Sequence, residues 1–187
     1  MDEFNYLSVL VSIILGLGIT RLLTGLGQQI EYRGRGRTYW PSLLWAVVLL
    51  VIHVQTWWSM FGMRSHEGWT FLAFLVVLLQ PVTLYLLAAL VLPTTAPGEP
   101  VDLRAHYYWQ TRWFFGLFVA LLAVSLVKDL VLAGVLPAPA NVAFHLVFMA
   151  MAAAAAVTER ARYHEAVAAL TPVLFGAYVV LLFSQLA

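Results

Sequence analysis

Lys128 and Asp129 stand side by side in an apolar run, AVSLVKDLVLAGV (Ala123–Val135). A charge in a hydrocarbon setting is costly, and an ionisable residue inside a spanning segment marks a pathway or a site by default. Other polar side chains sit in similarly apolar surroundings: His53 and Gln55 in LLVIHVQTWW, Gln80 before Pro81, His145 in AFHLVF, and Ser12 near the N-terminus. Ammonium, carboxylate and imidazole groups at one place could bind an ion, pass a proton or hold a polar solute. Two histidines on different helices could also be axial ligands of a haem, with His53 and His145 as the pair, or bind a metal. A histidine hydrogen-bonded to a neighbouring helix is the commoner arrangement. No CxxCH motif accompanies the two.

The elements that must position these residues follow from composition. The chain is 63% hydrophobic and 10% charged, with a mean hydropathy of +0.88. A soluble domain is about one quarter charged, so this chain has too little charge to cover a water-facing surface. It reads as an all-α, polytopic membrane protein. A net charge of +1 argues against a nucleic-acid partner. The absence of cysteine excludes disulfides, thiolate metal sites and a cysteine nucleophile. The start, MDEFNY, is acidic where a secretory signal is basic, so the first apolar run reads as a retained span.

A spanning helix needs about 20 mostly apolar residues. Six stretches qualify, at about 4–27, 40–61, 69–92, 107–135, 138–157 and 164–186, within one transmembrane domain covering 1–187. Short connections hold the turn residues and most of the arginines. Arg33, Arg35, Arg37, Arg104, Arg160 and Arg162 fall in the first, third and fifth, against Arg64 alone in the second and fourth. Positive residues stay cytoplasmic, so both termini are expected outside. The YRGRGR loop would also attract anionic lipid headgroups. Arg21 and Arg112, near cytoplasmic span ends, are expected to snorkel.

This threading sets depths at about 1.5 Å per residue. His53, His145, Lys128 and Asp129 then lie roughly 10–12 Å from the outer face, on three spans. Ser12 and Gln55 fall in the same layer, with Gln80 somewhat deeper. Neighbours on a helix point about 100° apart, so Lys128 and Asp129 do not face each other. Lys128 is expected to reach outward to the interface. Asp129 is shorter, and needs Lys128 by bending, a histidine from the second or fifth span, or water.

Two further patterns concern packing. Ser8, Ser12, Gly16, Thr20 and Thr24 recur every four residues along one stripe of the first span. Small stripes let helices approach closely in lipid, either inside the chain or at a subunit interface. With so few spans, a homo-oligomer is plausible. Pro81 and Pro172 interrupt the hydrogen bonding of their helices and are expected to kink them. They lie 91 residues apart, as TRLLTG and TRWFFG do, which raises an inverted repeat. The TR segments, however, sit at opposite ends of their spans.

No HExxH, GxSxG or Gly-rich phosphate loop occurs, and His164–Glu165 has no nucleophile or second ligand spaced with it. An enzyme is not expected. YLSVLVSIILGLGITRLLTGL followed by YWPSLLW resembles the start of a group of small, uncharacterised bacterial inner-membrane proteins. The resemblance implies a multi-pass protein of that membrane and transfers no functional residue. Three functions stay open: transport of an ion, proton or small solute through the outer-half polar cluster; haem- or quinone-linked electron transfer; and a scaffolding subunit of a larger membrane complex.

Overall fold

Several helix boundaries are written in local chemistry. In the computed structural model, which describes residues 3–31, 34, 36–66, 68–94 and 101–182, the chain forms six α-helices. They are α1 Glu3–Glu31, α2 Trp40–Ser59, α3 Phe71–Val91, α4 Leu103–Ala133, α5 Pro139–Val157 and α6 Ala161–Leu182. A 3-10 turn, Met60–Met63, extends α2. The Thr70 hydroxyl caps α3 by accepting from the Ala73 N–H at 3.1 Å, and Asp102 caps α4 through the Ala105 N–H at 2.9 Å. Pro41 and Pro139 sit in first turns, where a missing N–H costs nothing. Gly134, at φ +68°, ends α4 in the left-handed conformation that glycine adopts without penalty.

All six helices are long and apolar enough to cross a membrane. The helices overlap the six apolar stretches expected from sequence, with one end shifted by about a turn in each of α1, α4 and α6. α1 runs on to Glu31, and α4 starts at Leu103 because Asp102 caps it four residues before the apolar run begins. Outward faces carry large apolar residues such as Val9, Ile13, Leu17, Trp113, Val173 and Val180, each more than half exposed. A surface of this kind suits lipid and not water.

The helices pack in the ring order α1, α3, α4, α5, α6, α2, with α2 also reaching across to α3 and α4. The two halves pack differently: α1 lies against α3, whereas α4 makes no comparable contact with α6. The fold therefore gives the inverted repeat no support. Pro81 and Pro172 lie inside continuous helices α3 and α6.

Connections one, three and five share one end of the bundle, the arginine-rich end. There Arg37 N–H donates to the Val101 carbonyl at 2.9 Å and Leu103 N–H donates to the Arg37 carbonyl at 3.0 Å, tying the first and third connections together. Gly36 is required beside this bridge, because a Cβ there would meet the Val101 carbonyl oxygen at 2.2 Å. Arg33 and Arg35 lie outside the described residues.

Trp45, 1% exposed, anchors the core between α2 and α4. Its ring meets Phe114, Phe115 and Phe118 edge-on at centroid distances of 5.3, 5.5 and 5.2 Å. Such T-shaped pairs each add about 0.5–1.5 kcal/mol beyond burial.

Candidate functional site

Three of the sequence-predicted polar residues, Gln55, Gln80 and His145, meet in the half of the bundle away from the arginine-rich end. A cavity of about 70 Å³ lies among α2 to α6, with Gln55, Gln80, Ser125, His145, Thr171 and Tyr178 in its walls. Aromatic rings of Phe118, Phe144, Phe148 and Phe175 fill the spaces between them. The volume has room for a few waters or a small solute. A shallower depression of about 600 Å³ between α1 and α3, near Tyr6 and Phe71, holds none of the expected residues.

Lys128 borders this group, and its behaviour corrects the snorkelling expectation. Its side chain is 11% exposed and turns inward, donating from Nζ to Gln80 Oε1 at 3.0 Å. The same Nζ lies 3.8 Å from Asp129 Oδ1. The flexible lysine stem thus bends across the 100° that separates the two positions. Asp129, 32% exposed, gains Lys128 as its partner and also lies within electrostatic range of the Tyr178 hydroxyl. Tyr178 in turn packs edge-on against His145 at a centroid distance of 5.9 Å. The series Gln80, Lys128, Asp129, Tyr178, His145 links α3, α4, α6 and α5.

Tautomers follow from partners. His145 Nδ1 lies 2.9 Å from the Asn141 carbonyl, an acceptor, so in the neutral ring Nδ1 carries the proton and Nε2 keeps its lone pair. Lysine can only donate, so Gln80 faces it with Oε1 and turns its NH₂ elsewhere.

His53 and Ser12 do not join this site. His53 is fully buried on the α1-facing side of α2, with Nδ1 donating to the Leu49 carbonyl at 2.7 Å. Its Nε2 is pressed against Gly18, where an added Cβ would sit 2.3 Å away. No iron could approach that nitrogen, and His53 is not in the wall that His145 lines. The bis-histidine pair is therefore not assembled. No group of three or more metal-binding side chains occurs among the described residues. Ser12 is exposed on α1, as are Gly16, Thr20 and Thr24, with Ser8 half-buried. The stripe is not used inside the chain, and the Ser8 and Thr20 hydroxyls bond back to their own helix at Asn5 and Gly16. α1 buries the adjacent face instead, through Leu7, Val11, Leu15, Gly18 and Leu22.

Below the cavity, towards the arginine-rich end, the interior closes. Trp45, Phe115, Phe118, Phe148, Met151 and Val167 surround about 0 Å³ of free space. Phe118, Phe148 and Thr171 belong to both layers, so the aromatic layer is the cavity's floor.

A second polar group, at that closed end, was not anticipated from sequence. His164 is fully buried, its Nε2 donating to the Thr158 carbonyl at 2.8 Å, so its Nδ1 accepts from the Tyr107 hydroxyl at 3.1 Å. Tyr39 and Tyr108 share a hydroxyl contact of 3.2 Å beside it, with Arg104 over the Tyr39 ring at 5.9 Å. Burial, and then the Tyr108 bond, push the Tyr39 phenol above its ordinary value. Arg21 reaches towards the same end. It donates from Nη2 to the Leu92 carbonyl at 3.0 Å and to the Thr94 hydroxyl, and His106 meets the Leu90 carbonyl at 2.9 Å. Together they cap the C-terminus of α3, where carbonyls lack helical partners and positive charge is favoured.

The chain matches no protein-family model, no curated protein and no solved structure.

Proposed function

We propose that this is a multi-pass protein of the bacterial cytoplasmic membrane, with both termini outside, that moves protons or small solutes by way of the cavity. One observation carries the reading: Gln80, Lys128, Asp129, Tyr178 and His145, drawn from four helices, converge beside one internal space. Ionisable groups held inside a spanning bundle and directed at a cavity are the usual furniture of solute and proton paths. The aromatic floor supports a second element, a closed inner side beneath an outward-facing chamber. Orientation rests on the arginine-rich connections, and the bacterial membrane on the resemblance of the N-terminal segment.

The exposed stripe of α1 is the face on which a second copy, or another membrane subunit, would pack.

Flux in proteoliposomes tests the proposal. Purified protein should collapse an imposed pH gradient, or equilibrate a small solute, faster than protein-free vesicles. Asp129→Asn should reduce that rate at least tenfold. Equal rates for the parent and Asp129→Asn proteins across protons, ions and neutral solutes would end the transport reading.

A further inference from the structure

The cavity's hydrogen-bonding atoms and charge balance define what it can hold. Lys128 and Asp129 compensate one another at 3.8 Å, and Lys128 is further committed to Gln80. With both charges paired, neither a cation nor an anion entering the cavity finds an unpaired opposite charge. The space offers neutral partners of both kinds. His145 Nε2 is an acceptor, and the Gln80 and Gln55 NH₂ groups supply donors, the Lys128 bond engaging only Gln80 Oε1. Aromatic rings line the remainder. An apolar cavity of about 150 Å³ admits benzene. At about 70 Å³ this one takes something smaller.

We infer that the cavity is a binding site for a short, uncharged solute of a few heavy atoms that carries both a donor and an acceptor, of the primary-amide type. Its carbonyl would accept from a glutamine NH₂, its N–H would donate to His145 Nε2, and its alkyl end would lie among the rings. The inference takes the cavity as the working site and so rests on the transport reading, but binding can be measured without flux.

Acetamide, acetamidinium and acetate share shape and a methyl group and differ in charge. Saturation-transfer NMR on the detergent-purified protein, with aromatic protons irradiated and the probe methyl observed, ranks them directly. Acetamide should receive at least threefold more transfer than either ion. His145→Leu, which removes the acceptor and keeps bulk, should lower it about fivefold. Ser125→Leu, which fills the cavity from α4, should bring it to the level of empty micelles. Either ion matching acetamide would overturn the assignment, as would acetamide transfer unchanged in Ser125→Leu. Absence of transfer from all three probes would overturn it too. Asp129-dependent flux alongside such a failure would leave the transport reading standing and remove only this solute class.

Discussion

Gly18→Ala puts the α1–α2 contact to a quantitative test. The new Cβ would lie 2.3 Å from His53 Nε2 and 2.9 Å from Cδ2, inside contact distance of a ring with no free side. The ring can retreat only by lengthening its 2.7 Å bond to the Leu49 carbonyl or by pushing α2 away from α1. Overpacking a filled interior costs about 1–3 kcal/mol, and a weakened buried hydrogen bond adds about 1 kcal/mol. Alanine is the better helix former by about 1 kcal/mol, which offsets part of this. The net expectation is a loss of about 1–3 kcal/mol. Thermal unfolding in mild detergent, followed by tryptophan fluorescence, gives the sign and size. The cause is isolated by the double variant. In Gly18→Ala/His53→Ala the clash disappears, so the combined loss should fall short of the sum by about 1–2 kcal/mol. A Gly18→Ala protein as stable as the parent, or strict additivity in the double variant, would refute the reasoning.

Three further outcomes are expected from the same kind of measurement. Asp129→Asn leaves Lys128 with Gln80 as its remaining partner, and should cost about 1–2 kcal/mol, less than a fully buried pair because the aspartate is one-third exposed; adding Lys128→Met should recover most of that loss. Arg21→Met uncaps the end of α3 and should cost about 1–2 kcal/mol, with increased proteolysis of the connection that follows. The Tyr39 phenol is raised by burial above its ordinary 10.0, so the stability it contributes is complete below pH 10 and is lost as pH climbs towards its raised value. Unfolding temperatures should therefore fall above pH 10, and fall less steeply in Tyr39→Phe.

Apolar length and turn residues were enough to count six helices and to place most ends within a turn. One exception was set by a capping group: Asp102 begins α4 ahead of its apolar run. Height along the helices was also legible, because rise per residue is fixed: it put Gln55 and His145 at one level with Lys128 and Asp129 and set Gln80 somewhat deeper, and Gln55, Gln80 and His145 share the cavity wall. Depth gives height along a helix and not the direction a side chain takes around it. That is why His53, two residues from Gln55, turns to Gly18 while Gln55 lines the cavity. Tyr178 and Ser125 escaped notice because aromatic and small residues are ordinary in membrane helices. Arg21 and His164 find their partners on other segments, at Leu92 and at Tyr107 and Thr158, which no local pattern announces.

In the proposed path the cavity communicates with the outer face and is shut from the cytoplasm. The chain has no cysteine, so Ser125→Cys introduces a single reporter in the cavity wall. Labelling it with a small membrane-impermeant thiol reagent, in vesicles of each orientation, reads access from either side. Modification from the outer face and protection from the cytoplasmic face are expected. Modification from the cytoplasmic face alone, or from neither, would contradict that path.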